Sequence, residues 1–262
     1  MNPEIFAQLL NDLRVESDQL TGHLAELTTR QWGLSTPAAG WTVHDQVTHL
    51  AFFDDASILA LRWPLDFRAE ADKLIGGGMD FPDRIAEQHR SFDTATVLNW
   101  FLDSRHELLD ILTSEEPRRR VPWFGPDMSV ASCATARLME TWAHGRDVYD
   151  ALGVQPPPSP GLRSIAHLGV STFAFSHTLH GLDVPEESVF VDLRSPAGES
   201  WTWGPSDALN RVHGPAEDFV LTVTQRRHWT ETALTAEGPV AQQWLDVAQA
   251  FAGAPTRKAV PR

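Results

Sequence analysis

The chain has 262 residues, 42% of them hydrophobic, with a formal net charge of −14 and a single cysteine, Cys133. That length holds one large domain or two ordinary ones around a real core, and an acidic chain whose only basic cluster is Arg118 to Arg120 argues against nucleic acid and anionic membrane as partners. A lone cysteine excludes an intrachain disulfide framework and fits a reducing cytoplasm, and no window approaches the roughly 18 consecutive apolar residues of a membrane span.

The first twenty residues are broken by acids and do not read as a signal peptide. Phe6, Leu10, Leu13, Ser17, Leu20, Leu24 and Leu27 alternate by four and three, which predicts a first helix ending before Pro37. Thr42 and Asp45 have the spacing of a capping box, so a second helix is expected to start there and run to Pro64. It carries His44 in its first turn, where exposure is expected, and His49 deeper among apolar residues.

Residues 66–90 read as irregular, with Gly76, Gly77 and Gly78 marking a flexible turn. Val97, Phe101, Ser104, Leu108 and Ile111 predict a third helix stopping near Pro117; the basic run at Arg118, Arg119 and Arg120 reads as a solvated loop. After the aromatic loop VPWFGP comes CATARLMETWAHGRDVYDALG, residues 133–153, a fourth helix with Gly153 as its C-cap.

The prolines of residues 155–160 form the clearest boundary. Beyond it the sequence predicts one helix over 162–180, a hairpin of residues 188–194 and 199–203 around Pro-Ala-Gly, and a strand near 210–213. A helix opening at Gly214-Pro215 and a last one over 240–251 complete a small α/β unit.

On the fourth helix, Cys133, Arg137, Glu140, His144 and Val148 form one inward stripe. Buried charges persist only when paired, hydrogen-bonded or bound to a metal. Glu140 and His144, at i and i+4, can reach one ion, and a catalytic zinc needs a third protein ligand and an open fourth position. His49 is the best donor and His44 its competitor. Arg137 either binds an anionic substrate or cofactor carboxylate, or forms an i, i+3 pair that holds Glu140. Asp147 reads as a surface residue, or as a carboxylate orienting His144. Cys133 lies about 10 Å along the axis from Glu140 and reads as core.

GWTVHDQVTHL followed some ninety residues later by METWAHGRDVYDALG resembles the metal-binding half of the mycothiol-dependent maleylpyruvate isomerase family, a branch of the DinB-like four-helix bundles. The resemblance implies an α+β, mostly α, chain: a DinB-like metal-binding bundle over residues 1–154, then a small α/β domain resembling sterol carrier proteins over 160–255. It implies that His49, Glu140 and His144 bind a divalent metal, zinc being expected, and that a low-molecular-weight thiol such as mycothiol takes the open position. It also implies an arginine of the C-terminal domain acting at the metal cleft, Arg226 on motif position with Arg227 as the alternative; the plain reading is that both cap a helix C-terminus.

The leading expectation is a cytoplasmic, thiol-dependent isomerase or S-transferase acting on a small anionic electrophile near Arg137 or Arg226, as a monomer or homodimer. A thiol-independent Lewis-acid isomerase, cyclase or hydrolase is the second. A non-catalytic, metal-containing protein that binds a small molecule or lipid is the third. No phosphate-binding glycine loop, dinucleotide fingerprint, zincin motif or nucleophile elbow is present to support other classes.

Overall fold

Asn2 starts the first helix by accepting the Glu4 amide on its side chain, with Pro3 at the first helical position, where its missing N–H costs nothing. The computed structural model describes residues 2–256. It divides the chain into two compact units, one ending at Pro160 and one beginning at Gly161.

The first unit is built on four long helices: α1 (Pro3–Ala25), α3 (Val43–Arg62), α6 (Thr94–Ser114) and α7 (Val130–Leu152). A short α2 (Thr29–Trp32) follows α1, which ends earlier than its leucine period suggests because Thr28 and Gln31 form a capping box and restart the chain. The Thr42/Asp45 box starts α3 as expected, and Asp45 also takes two N–H groups from Arg90 at 3.0 and 3.1 Å. Gly153 closes α7 in the left-handed region at φ 68°, the position that favours glycine.

α1 lies beside α6 and α7, and α3 lies beside the same two, so α1 faces α3 across the bundle. Leu20 and Leu24, Val43, Val47 and Leu50, Val97 and Phe101, and Val148 form a core drawn from all four helices. Residues 66–90 are helical, contrary to the irregular reading: α4 (Pro64–Gly76) and α5 (Phe81–His89) each place a proline in the first turn, where it initiates a helix instead of breaking one. Gly76 ends α4, and only Gly77 and Gly78 belong to the turn between the two helices. The hairpin of β1 (Arg120–Val121) and β2 (Met128–Ser129) carries Trp123 and Phe124, whose rings pack on Phe53, Phe67 and Phe81.

At the centre of the bundle lies a polar brace that takes side chains from all four long helices. Arg105 of α6 grips the Asp54 carboxylate of α3 at 2.8 and 3.0 Å, and Arg137 of α7 donates to it at 3.0 Å. Arg105 also donates to Ser17 of α1 and to Thr141 of α7, while Arg137 donates to the Leu50 carbonyl. Asp54 is fully buried and neither guanidinium is more than 4% exposed. Burial pulls the Arg105 pKa down, and the charge of Asp54 opposes that pull.

The second unit carries a four-stranded sheet in the order β4-β3-β5-β6. β3 (Val189–Arg194) pairs antiparallel with β4 (Ser200–Trp203) and parallel with β5 (Asn210–Pro215), and β5 pairs antiparallel with β6 (Thr235–Glu237). The predicted single helix over 162–180 is two, α8 (Leu162–Ser171) and α9 (Phe173–Leu179), separated at Thr172. α10 (Ala216–Val223) and α11 (Pro239–Val247) complete the cover over Val191, Leu193 and Val212. Gly169 lets α8 approach α10, since a Cβ there would lie 2.8 Å from the Val223 side chain. The three-residue β6 lies in a stretch for which the sequence reading expected no element.

Removing one partner of a buried ion pair strands the other charge, at a typical cost of about 3–5 kcal/mol. Asp54→Ala strands two guanidiniums and is expected to lower stability by at least about that amount. Urea unfolding of the wild type and the variant checks this; a loss below about 1 kcal/mol would show that the brace does not hold the bundle.

Candidate metal centre

α3 and α7 run antiparallel, and three polar rungs join them. Asp54 meets Arg137, then His49 meets Glu140, then Gln46 meets His144. The brace thus sets the register that brings the next two rungs together.

At the middle rungs, Nε2 of His49 lies 3.3 Å and Nε2 of His144 lies 2.9 Å from the same oxygen of Glu140, Oε2. The two imidazole centroids are 4.2 Å apart. All three donor atoms lie within 4.8 Å of one another, and among the described residues this is the one group of three or more His, Cys, Asp or Glu side chains that meets that criterion. Donors on a tetrahedral zinc, with bonds of about 2.0–2.2 Å, sit about 3.3 Å apart, so the spacing suits such an ion. The side chains are 11–20% exposed, which leaves the cluster accessible without dissolving it in water.

The hydrogen-bond chemistry also asks for a cation. His144 Nδ1 meets the Gln46 side-chain carbonyl, Oε1, so that nitrogen carries a proton. A neutral His144 then turns the lone pair of Nε2 toward a carboxylate oxygen, an arrangement that is favourable only with a proton or a metal ion between the two. Where a proton fills that place, burial alone would raise the Glu140 pKa, but the hydrogen bonds and charge of His144 and then His49 outweigh it and hold the carboxyl well below the usual carboxylate range. Glu140 is therefore an anion, as a metal ligand must be.

Aromatic rings wall the cluster. Trp41 stacks on His144 at 5.9 Å and 20° and lies 5.3 Å from His49, while the Phe53 ring packs 4.4 Å from that of His49. Trp41 is held in place by its indole N–H, which donates to Asp83 of α5 at 2.7 Å.

Several sequence expectations need correction. His44 is buried, not exposed; its Nε2 faces the Phe92 carbonyl at 3.1 Å and it stays outside the cluster. Arg137 is 1% exposed and bound to Asp54, so it neither faces a substrate nor pairs with Glu140. Asp147 is buried, not on the surface. Cys133 is core as expected, and burial pushes its thiol up to about 11. Arg226 lies just beyond α10, with Nη1 donating to the Thr224 carbonyl at 2.8 Å, and Arg227 donates to the Arg226 carbonyl. Arg226 therefore does complement the end of the helix, the plain reading of its position.

Gln46 is singled out by no motif in the sequence. It falls three residues before His49, a spacing that puts both on one face of α3, and that was the available signal.

Comparison with known proteins fits this geometry. Residues 13–149 match the profile of the mycothiol maleylpyruvate isomerase N-terminal domain, and residues 185–237 match one described as wyosine base formation. Two proteins described as uncharacterized, from Mycobacterium tuberculosis strains CDC 1551 / Oshkosh and H37Rv, are each 45% identical over 246 residues, covering 94% of this chain and 96% of theirs. The crystal structure of the mycothiol-dependent maleylpyruvate isomerase superposes with a TM-score of 0.62 at 15% identity, covering 90% of this chain and 95% of that one. A histidine-to-alanine mutant of that enzyme gives 0.61 at 16% identity over the same shares. At such identity the likeness to the solved structures is one of fold. The match over residues 13–149 takes in most of the bundle and all three clustered residues, and the chain belongs to the family of the mycothiol maleylpyruvate isomerase N-terminal domain.

Proposed function

We propose that this chain is a divalent-metal-dependent enzyme that uses a low-molecular-weight thiol to isomerise or S-conjugate a small electrophile. The observation that carries the reading is the convergence of His49 Nε2, His144 Nε2 and Glu140 Oε2. Two histidines and one carboxylate form a ligand set that leaves a tetrahedral ion one open position. The metal, zinc being expected, supplies when bound a dication that lowers the pKa of a coordinated thiol and keeps it as thiolate at neutral pH.

The protein's own contribution is placement. Glu140 offers the anionic oxygen, and His49 and His144 offer neutral nitrogens from facing helices whose register the Asp54 brace holds. Trp41 and Phe53 cover the imidazole faces and exclude water from that side of the site. Thiol addition to a conjugated double bond, rotation about the resulting single bond and elimination give isomerisation; stopping after addition gives the conjugate. Membership of the mycothiol maleylpyruvate isomerase N-terminal domain family supports mycothiol as the thiol and a maleylpyruvate-like electrophile as the starting point for a substrate search.

The role expected for Arg226, contact with a substrate anion, belongs to this proposal on sequence position. Arg137 takes no part in it, because both its guanidinium and its partner Asp54 are committed inside the bundle.

Three outcomes are expected. Protein purified without chelator or nickel resin carries about one equivalent of zinc or another divalent ion by elemental mass spectrometry, and His49→Ala and His144→Ala each lose it. Absence of metal after reconstitution of the wild type would sink the reading. Turnover of a conjugated electrophilic acid depends on added thiol; full rate in thiol-free buffer would replace the thiol-dependent reading with Lewis-acid catalysis. Arg226→Ala raises KM for an anionic electrophile about tenfold or more while leaving KM for an uncharged analogue within twofold. Equal effects on both would remove Arg226 from substrate binding.

A further inference from the structure

The rung formed by Gln46 and His144 extends into a chain of hydrogen bonds with a defined direction. Thr36 Oγ1 lies 3.0 Å from the Trp41 carbonyl, which can only accept, so the single hydroxyl proton goes there. The hydroxyl must then accept from its other neighbour, and Gln46 Nε2 stands 2.8 Å away. With its NH2 toward Thr36, the Gln46 amide turns its carbonyl toward His144 Nδ1. A carbonyl oxygen can only accept, so Nδ1 keeps the proton and Nε2 keeps the lone pair that faces Glu140. A main-chain carbonyl in the loop before α3 thus decides which nitrogen of His144 is the donor.

The loop itself is held. The Thr36 amide donates to the same Trp41 carbonyl at 2.8 Å, Ser35 and Thr42 form a bridge, and the Trp41 indole is tied to Asp83. The orientation of Gln46 therefore rests on backbone geometry.

We propose that Gln46 is a positioning residue for the metal centre: it fixes His144 as an Nε2 ligand, and as a neutral partner it leaves the ion's positive charge for an anionic exogenous ligand. Metal-bound histidines commonly donate their second N–H to a carboxylate, a backbone carbonyl or water, and such partners tune ligand basicity. An amide gives the same geometry as a carboxylate but adds no negative charge. With Glu140 the only anion among the three ligands, the dication keeps a net positive charge, which favours a thiolate over a neutral donor at the open position. This inference rests on the metal-dependent reading proposed above and deepens it.

The test uses the full chain, stripped of metal and reloaded with zinc or cobalt(II). Zinc affinity is measured by competition with a chromophoric chelator, and 2-mercaptoethanol is titrated into the cobalt protein while the ligand-field and sulfur-to-cobalt charge-transfer bands are followed. Gln46→Ala is expected to weaken zinc binding about 10–100-fold, the usual effect of losing an outer partner of a ligand. Gln46→Glu keeps an acceptor at Nδ1, so it is expected to bind zinc at least as tightly as the wild type but 2-mercaptoethanol at least fivefold more weakly. Thermal unfolding of the metal-free proteins shows whether each variant folds. Should Gln46→Ala fail to fold, Thr36→Val serves instead: it removes the acceptor that orients the amide, and is expected to weaken zinc binding severalfold and shift the cobalt bands.

Wild-type zinc affinity in folded Gln46→Ala, or in Thr36→Val where that variant serves, overturns the assignment while leaving the metal centre intact. So does Gln46→Glu binding zinc as weakly as Gln46→Ala, since the acceptor would then not be what matters, and unchanged thiol affinity in Gln46→Glu overturns the charge argument. A wild-type protein that binds neither zinc nor cobalt overturns the metal-dependent reading itself, and this inference with it.

Discussion

Two guanidiniums share one carboxylate at the centre of the first unit, and the candidate site depends on that arrangement. Asp54, Arg105 and Arg137 are each buried, and together with Ser17 they draw on all four long helices. A hydrophobic core tolerates small slides of one helix past another, because one methyl group can replace its neighbour with little loss. A forked guanidinium on a buried carboxylate cannot slide without losing its hydrogen bonds in a place where water does not replace them. The brace therefore locks α3 against α7, and the rungs of His49 with Glu140 and Gln46 with His144 follow from its register. A shift of one residue would carry the donors about 1.5 Å along the axis and around the helix by some 100°, away from a common ion.

That architecture accounts for what could and could not be read along the chain. The capping box at Thr42 and Asp45 and the inward stripe of α7 are local patterns, set by spacing within one helix, and both hold in the structure. The convergence of His49 with Glu140 and His144 is not local; it follows from asking what could neutralise buried polar groups and from the family resemblance of the two segments. Arg137 was misread because its partner stands 83 residues earlier, on a helix whose contact with α7 no spacing reveals. Gln46 went unnoticed for a related reason: an amide in the second turn of an amphipathic helix reads as a surface side chain until the fold turns that face inward. His44, expected at the surface from its place in the first turn, and Asp147, read as a surface residue or a carboxylate orienting His144, are both buried, since position along one helix does not say what later packs there.

Punctuation residues account for the remaining differences. Pro64 is expected to end a helix, yet it opens α4, and Pro82 likewise sits in the first turn of α5. α5 in turn supplies Asp83, the anchor of Trp41, so a segment read as irregular carries part of the wall around the site. In the second unit the long helix expected over 162–180 breaks at Thr172, whose hydroxyl hydrogen-bonds back to the Leu168 and Gly169 carbonyls. Such back-bonding by threonine is known to bend helices, and here it accompanies an interruption at a single residue.

The burial of Cys133 has a consequence for the proposed chemistry of thiols and electrophiles. It is the only cysteine in the chain, it is 1% exposed, and its thiol is pushed up to about 11. At neutral pH such a group stays protonated and out of reach, so it is neither arylated nor oxidised to a sulfenic acid, and it forms no mixed disulfide with a free thiol in the surrounding solution. The chain presents no sulfur nucleophile of its own, and is protected from self-inactivation by reactive molecules that pass over its surface.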